Sequence, residues 1–215
     1  MAILLQVDKK TIVRKFRLLA ERARGKHEDW LQAGEGLPIE ELQFDDLETF
    51  EHTKCKPLSV TLAVNKKTRE IIGFQVSRMP AKGLLAKIAL KKYGKRKDER
   101  PKAWDELFKK LKRYLKPTAL IESDENPHYP KFIKRHLKEA THTRHPGARG
   151  AITGQGELKK LVFDPLFALN HTCAMLRANL NRLFRRTWCT TKKPEGLIDH
   201  LSLYVTYHNG VLIRG

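Results

Sequence analysis

The sequence has no long apolar run and few cysteines. No stretch approaches the roughly 20 consecutive apolar residues that a membrane-spanning helix needs, and the apolar start from Ala2 to Leu5 is too short for a signal peptide. The three cysteines, Cys55, Cys173 and Cys189, are scattered and odd in number, which excludes a disulfide framework and does not fit zinc-ligand spacing. We therefore expect a soluble, cytoplasmic protein with no membrane partner.

Acidic residues are scarce beside basic ones. The 215 residues include 43 Lys and Arg against 24 Asp and Glu, which gives a formal net charge of +19 and a pI near 10.0. Such an excess attracts polyanions, and phosphate backbones are the usual target. Hydrophobic residues make up 40% of the chain, enough for a buried core, and the length suits one medium domain, alone or with a small appendage. The composition favours nucleic-acid binding over a merely solubilised or ribosome-associated surface and is silent about chemistry.

The first 32 residues are basic and show a helical pattern. Asp8 is placed to cap a helix, and Ile12, Phe16 and Leu19 recur on one face of it. A short helix, a turn and a second basic helix is the plan of a helix-turn-helix, and we expect a partial one, truncated at its N-terminus. An ordinary amphipathic surface helix is the alternative. The DNA-binding residues expected in this segment are Lys9, Lys10 and Arg14.

A Gly- and Pro-containing linker over 33–40 precedes a change of period. Strands are predicted over 41–50, 57–64, 70–77, 118–123 and 138–143, and helical segments over 82–115 (broken near Gly94 and Pro101), 129–136, 165–186 and 194–207. The basic run 91–97 is interpreted as a solvated loop, and Asp164 is expected to cap the helix that begins at Pro165. The order predicts an α/β fold over 41–210, an RNase H-like mixed five-stranded sheet flanked by helices.

Acidic residues occupy two strands of this predicted sheet. Asp45 lies in the first strand with Asp46 and Glu48, and Asp124 ends the fourth. If these strands are neighbours, Asp45 and Asp124 face each other across a cleft, while Asp46 points to the opposite face. Considered alone, each acid would be interpreted as an ordinary exposed carboxylate at the end of a strand. As a pair in a basic chain they suit Mg²⁺ or Mn²⁺ with a phosphate completing the ligand shell, and two such ions can activate an attacking oxygen and stabilise a leaving one.

Three separated blocks carry a resemblance to a known family. They are Phe44-Asp45-Asp46, the segment from Ser123 to Tyr129, and the tail from Leu169-Asn170-His171-Thr172 through Arg177 to Tyr207-His208-Asn209. In this order they resemble the catalytic domain of small bacterial insertion-sequence transposases of the DDE type. The resemblance covers most of the chain. It implies an RNase H-like fold, a Mg²⁺-dependent site with Asp45 and Asp124 as the first two catalytic acids, and strand cleavage and transfer at the ends of a mobile element.

The third catalytic position departs from the family's pattern. The family's glutamate stands seven residues before a basic residue, and counting back from Arg177 leads to Asn170, on nearly the same helix face. An asparagine carbonyl can bind Mg²⁺ but brings no charge, so it would hold a second ion more weakly than glutamate. Three interpretations stay open: Asn170 is a neutral ligand, another acid such as Asp164 or Glu157 takes the role, or the chain is an impaired copy.

The sequence thus predicts a metal-dependent DNA transposase, nucleoid-associated, whose partners are terminal inverted repeats and target DNA and which acts as a homo-oligomer on DNA. A catalytically inactive DNA-binding protein or repressor is the first alternative, and an RNase H-like DNA nuclease is the second. His128 and Tyr129 are interpreted either as DNA contacts or as a surface turn. The basic residues expected to grip phosphates in the last third of the chain are Arg177, Arg182, Arg185 and Arg186.

Overall fold

A computed structural model describes residues 3–34, 38–147, 163–184 and 188–215 of the chain. The described residues form five strands and six α-helices, with a 3-10 helix at Asn181–Leu183 and a π-helix at His208–Ile213. In chain order the elements are α1 (Lys9–Ala33), β1 (Ile39–Phe50), β2 (Pro57–Asn65), β3 (Ile71–Arg78), α2 (Leu85–Tyr93), α3 (Arg100–Leu111), β4 (Leu115–Asp124), α4 (Tyr129–His136), β5 (Thr141–His145), α5 (Phe167–Asn179) and α6 (Pro194–Tyr207). Arg185, Arg186 and Glu157 lie outside the described residues.

The five strands form one mixed sheet in the order β3-β2-β1-β4-β5. The pairs β1–β2 and β2–β3 are antiparallel, whereas the pairs β1–β4 and β4–β5 are parallel. The predicted α/β fold with a five-stranded mixed sheet flanked by helices is confirmed, and it is consistent with an RNase H-like fold. Each observed strand overlaps a predicted one, although β1 already begins at Ile39, inside the predicted linker.

Helices cover both faces of the sheet, because the inner strands alternate apolar side chains to both sides. Phe44 packs on one face with Trp104 and Phe108 of α3, and the ring centroids of Phe44 and Phe108 lie 4.9 Å apart. Leu47, three residues further along β1, belongs to the opposite core, with Leu169 of α5 and residues of α6. Two cores therefore hold the sheet between α3 and α4 on one side and α5 and α6 on the other.

Residues 9–33 form one uninterrupted helix, which corrects the predicted partial helix-turn-helix. Ala20, Ala23 and Leu31 are buried along it, and Thr206 Oγ1 of α6 donates to the carbonyl of Ala23 at 3.3 Å. Continuous packing against α6 favours a straight helix where the sequence pattern indicated a turn. This segment is therefore an ordinary amphipathic surface helix, which was the alternative to a helix-turn-helix. The predicted cap is confirmed, since the Asp8 carboxylate accepts from the Lys10 amide at 2.6 Å.

α5 is shorter than the helix predicted over 165–186. It begins at Phe167 and ends at Asn179, before the 3-10 helix. The Asp164 carboxylate accepts from the Leu166 amide at 2.9 Å, so it caps a turn that leads into the helix. Leu169 and Leu176 are buried on the side of α5 that packs on the sheet.

The π-helix closes the outer edge of the sheet beside β3. The side chain of Asn209 accepts from the Ile71 amide at 2.9 Å and donates to the Ile71 carbonyl at 2.9 Å, as a neighbouring strand would. Within the described ranges, no helix combines the length and the apolar character that crossing a bilayer demands.

Candidate active site

Asp45 and Asp124 lie side by side on neighbouring strands. In the parallel pairing of β1 and β4, Gln43 is opposite Glu122, so the two aspartates, each two residues further on, stand level with one another. The same two-residue alternation directs both toward the face covered by α5 and α6, where Leu47 packs. The adjacency that the predicted acid pair requires is therefore present.

Gln43 fixes the start of α5 over this part of the sheet. Its side-chain amide is buried and donates to Glu122 Oε2 at 2.9 Å and to the Pro165 carbonyl at 2.8 Å, while its oxygen accepts from the Leu169 amide at 3.1 Å. Because Gln43 and Asp45 share a face of β1, the start of α5 lies over the same face of the sheet as the two aspartates.

Asp45 is half-buried and holds two hydrogen bonds. Its Oδ1 accepts from the Asp46 amide at 2.6 Å and from the Tyr129 hydroxyl at 3.1 Å. Burial raises the pKa of Asp45 to about 7, the negative charge of Asp124 adds to this, and the two hydrogen bonds oppose it. A cation placed between the two carboxylates would remove the second cause and help expel the proton from Asp45.

Tyr129 belongs to this site rather than to a surface turn. The residue is 1% exposed and begins α4, five positions after Asp124. Burial, followed by the charges of Asp46, Asp45 and Asp124, raises the pKa of Tyr129 far above its ordinary value, so its phenol stays protonated and donates to Asp45. Its position just after Asp124 in the sequence was the available signal, but only the fold shows its contact with β1.

Asp46 faces the other side of the sheet, as the strand alternation predicts. Trp104 Nε1 donates to both carboxylate oxygens of Asp46 at 3.2 Å, and the Thr61 hydroxyl donates to Oδ1. These partners satisfy Asp46 structurally and separate it from the Asp45–Asp124 pair.

Asn170 lies near the start of α5 and is exposed. Its side-chain nitrogen donates to Asp164 Oδ2 at 2.9 Å. The α5 residue that senses the charge of Asp45 is Cys173, whose pKa is raised to about 12 by burial, with Asp45 adding and Arg177 opposing. Cys173 therefore lies close enough to Asp45 for the two groups to interact, and the metal-ligand role of Asn170 stays a prediction.

Asp45 and Asp124 fit a divalent cation in ligand chemistry and in charge. Their carboxylate oxygens are the hard ligands that Mg²⁺ prefers, and a cation offsets the repulsion of the pair. No group of three or more His, Cys, Asp and Glu side chains suited to a metal occurs among residues 3–34, 38–147, 163–184 and 188–215. The protein offers two charged ligands here, and water and phosphate oxygens would complete the shell, as Mg²⁺ often requires.

The predicted DNA-binding residues occupy two regions. Lys9, Lys10 and Arg14 are exposed at the beginning of α1, near the part of the helix where the Phe16 ring lies 4.6 Å from that of His200. Arg177 is half-buried on α5, one helical turn after Cys173. Arg182 is the other predicted DNA-binding residue within the described ranges. It is half-buried in the 3-10 helix, and burial lowers its pKa.

The carboxylates of Asp45 and Asp124 can bind a divalent cation and, through it, a phosphodiester oxygen. The chain matches no known protein-family model, and no curated protein matches it. Function is therefore inferred from the site and from the motifs that surround it.

Proposed function

We propose that the protein is a DNA transposase of the DDE type, which cleaves and joins strands at the ends of a mobile element. The observation that carries the proposal is the level placement of Asp45 and Asp124 on neighbouring parallel strands of an RNase H-like sheet. A formal net charge of +19 supports DNA as the substrate. The resemblance of the three sequence blocks supplies the reaction class, the terminal repeats and the homo-oligomer on bacterial DNA.

The residues of the site have separate tasks in this proposal. Asp45 and Asp124 hold one or two Mg²⁺ or Mn²⁺ ions, which supply activation of the attacking oxygen and stabilisation of the leaving one. The Tyr129 hydroxyl and the Asp46 amide orient the Asp45 carboxylate. Arg177, on α5, contacts a phosphate.

The chemistry balances without a covalent bond between protein and DNA. Water attacks a phosphodiester at the element end, a P–O bond breaks, and the DNA keeps a free 3′-hydroxyl and a 5′-phosphate. That hydroxyl then attacks a phosphodiester of the target, forming one P–O bond as another breaks.

A catalytically inactive DNA-binding protein is the second candidate. It is favoured by one observation, the engagement of Asn170 with Asp164 on an exposed part of α5, which leaves two carboxylates as the charged ligands of the site. Such a chain would bind DNA with an affinity indifferent to divalent metal.

The first test is nicking of supercoiled plasmid by the wild type and by Asp124→Asn, each with Mn²⁺, Mg²⁺ or EDTA. We expect metal-dependent nicking that falls by at least about 100-fold in the variant, since even outer-shell partners of a metal cost roughly 10- to 100-fold when removed. Asp105→Asn is the matched control, because Asp105 lies on α3 and pairs with Arg135 at 2.7 Å, away from the site.

The possible outcomes separate the candidates. Nicking that survives in Asp124→Asn would contradict the proposed site. Salt-sensitive DNA binding by both proteins without nicking would favour the inactive binder. Nicking that never joins an oligonucleotide 3′-hydroxyl to the plasmid would favour the DNA nuclease.

A further inference from the structure

Residues 79–98, here called the α2 arm, leave and rejoin the fold at one point. The arm starts after the last residue of β3 and contains α2. Its base is closed by the Glu99 amide, which donates to the Arg78 carbonyl at 2.9 Å, and by the Arg78 amide, which donates to Glu99 Oε2 at 3.2 Å. The arm is therefore an excursion from a fixed base rather than part of either core.

Two ion pairs hold the arm at the end of the sheet where the acid pair lies. Lys82 Nζ is 2.6 Å from Glu48 Oε1, and Arg96 Nη2 is 3.1 Å from Glu51 Oε2. Both glutamates lie just beyond Asp45 along the chain, at the carboxyl end of β1 and directly after it. The arm thus stands at the carboxyl end of β1, the end of the sheet nearer to the acid pair, and Glu48, which anchors Lys82, shares the face of β1 with Asp46.

The arm is strongly basic and unusually exposed. It contains seven Lys and Arg residues and one Asp, and the buried residue of α2 is Ala89. Lys87 and Lys91 are exposed one helical turn apart. Beside them Leu84 is 94% exposed and Ile88 54% exposed, also one turn apart. Lysines and large aliphatic side chains therefore share the outer surface of one short helix.

We propose that the α2 arm is a DNA clamp that binds the substrate on one side of the scissile phosphate, beyond the carboxyl end of β1, and prefers DNA with unpaired bases there. Lys87 and Lys91 contact phosphates, and Leu84 and Ile88 contact base faces, as aliphatic side chains do where proteins unstack a duplex. The inference rests on the proposed function. A lysine-rich helix with aliphatic residues also suits an anionic lipid surface, but the ion pairs of Lys82 and Arg96 place this one at the same end of the sheet as the acid pair.

The phosphate contacts are tested by the salt dependence of DNA binding, measured in EDTA with a fluorescein-labelled duplex of about 30 base pairs. Each lost phosphate contact lowers the slope of log K against log salt by about 0.9, so Lys87→Ala/Lys91→Ala is expected to lower it by about 1.8. Lys109→Ala/Lys110→Ala is the matched control. It removes the same charge from the last turn of α3, at the far end of the sheet, and is expected to change the slope far less.

The base contacts are tested with the same duplex carrying a few unpaired bases at its centre. We expect the wild type to bind the unpaired duplex several-fold more tightly than the paired one, and Leu84→Ala/Ile88→Ala to lose this preference while keeping its salt slope. Equal slopes for the two lysine variants would overturn the phosphate contacts, and an unchanged preference in the aliphatic variant would overturn the base contacts.

Two further outcomes would assign the arm to another partner. A wild-type dimer that becomes a monomer in Leu84→Ala/Ile88→Ala would make the arm a contact between copies of the chain. Sedimentation with phosphatidylserine vesicles, lost in the arm variants while DNA binding is unchanged, would make it a lipid contact. Since binding is measured without metal, a wild type that binds through the arm but never nicks plasmid would contradict the proposed function and leave the clamp intact.

Discussion

Asp45 retains its proton to a higher pH than an ordinary aspartate, so pH acts on the stability of the fold through this side chain. Its pKa is raised from 3.8 to about 7 in the folded chain, which therefore holds the proton more tightly than the unfolded chain does. Ionising Asp45 therefore lowers the free energy of unfolding. This loss is absent below about pH 4, grows as pH rises, and levels off above about pH 7 at about 4 kcal/mol. Relative to Asp45→Asn, the wild type should lose this much unfolding free energy across that window.

Urea denaturation of both proteins at several pH values, in EDTA, measures the difference. If the difference in unfolding free energy between wild type and Asp45→Asn stayed constant from about pH 4 to about pH 8, the pKa of Asp45 in the folded chain would be near its ordinary value. Adding Mn²⁺ at the upper end should recover part of the loss in the wild type, because a ligand that binds only the folded state stabilises it.

At the scale of single residues, the sequence led to some parts of the site and not to others. Asp45 and Asp124 could be identified because the order of the strands and the positions of the acids along them can both be predicted from the sequence. The contact of Tyr129 with Asp45, and the proximity of Cys173 to the same carboxylate, depend on how α4 and α5 pack on the sheet. The spacing from Arg177 predicts Asn170 as the third metal ligand. Helical spacing does not reveal that the Asn170 side chain donates a hydrogen bond to Asp164.

At the scale of elements, the side chain of Asn209 substitutes for a sixth strand beside β3. Asn209→Ala would leave the buried amide and carbonyl of Ile71 without their partner. Each unsatisfied buried group costs about 1–3 kcal/mol, so for the two groups we expect a loss of about 2–6 kcal/mol in the free energy of unfolding.

Thermal or urea unfolding measures this loss, with Asn181→Ala as the control at an exposed asparagine. A loss below about 0.5 kcal/mol, the usual range for surface substitutions, would mean that water replaces the side chain at the edge of β3.

The elements were predicted best where periodicity alone decides them. The alternating strands from β1 to β4 lie close to their predicted positions, since two-residue alternation is a local property. The turn predicted within α1 does not occur, because packing on α6 favours one long helix over the local pattern. The π-helix after Tyr207 follows from the bonds of Asn209 and His208 to the strand edge, and sequence periodicity carries no sign of it.

At the scale of the whole molecule, the positive charge opposes folding. A formal net charge of +19 repels itself more strongly in the compact state than in the unfolded chain, whereas exposed ion pairs such as Lys82–Glu48 contribute at most about 1 kcal/mol each. Raising sodium chloride from about 0.01 M to about 0.1 M shortens the screening length from about 30 Å to about 10 Å. We therefore expect the unfolding temperature to rise with salt, by about 2–4 °C for each kcal/mol gained.

Calorimetry at constant pH measures the rise. Lys109→Ala/Lys110→Ala, which carries two fewer positive charges, should unfold at a higher temperature in low salt and respond less to added salt. A melting temperature that falls as salt increases would show that specific ion pairs outweigh the general repulsion.

The parallel pairing of β1 with β4 also has a consequence during synthesis of the chain. β1, β2 and β3 pair with their sequence neighbours, but Gln43 can meet Glu122, 79 positions later in the sequence, only after the chain between them has been made and the long loop has closed. A nascent chain that ends before β4 has one aspartate of the pair and no place for a cation between two. The proposed cleavage of DNA can therefore begin only after the second half of the chain has folded onto its first.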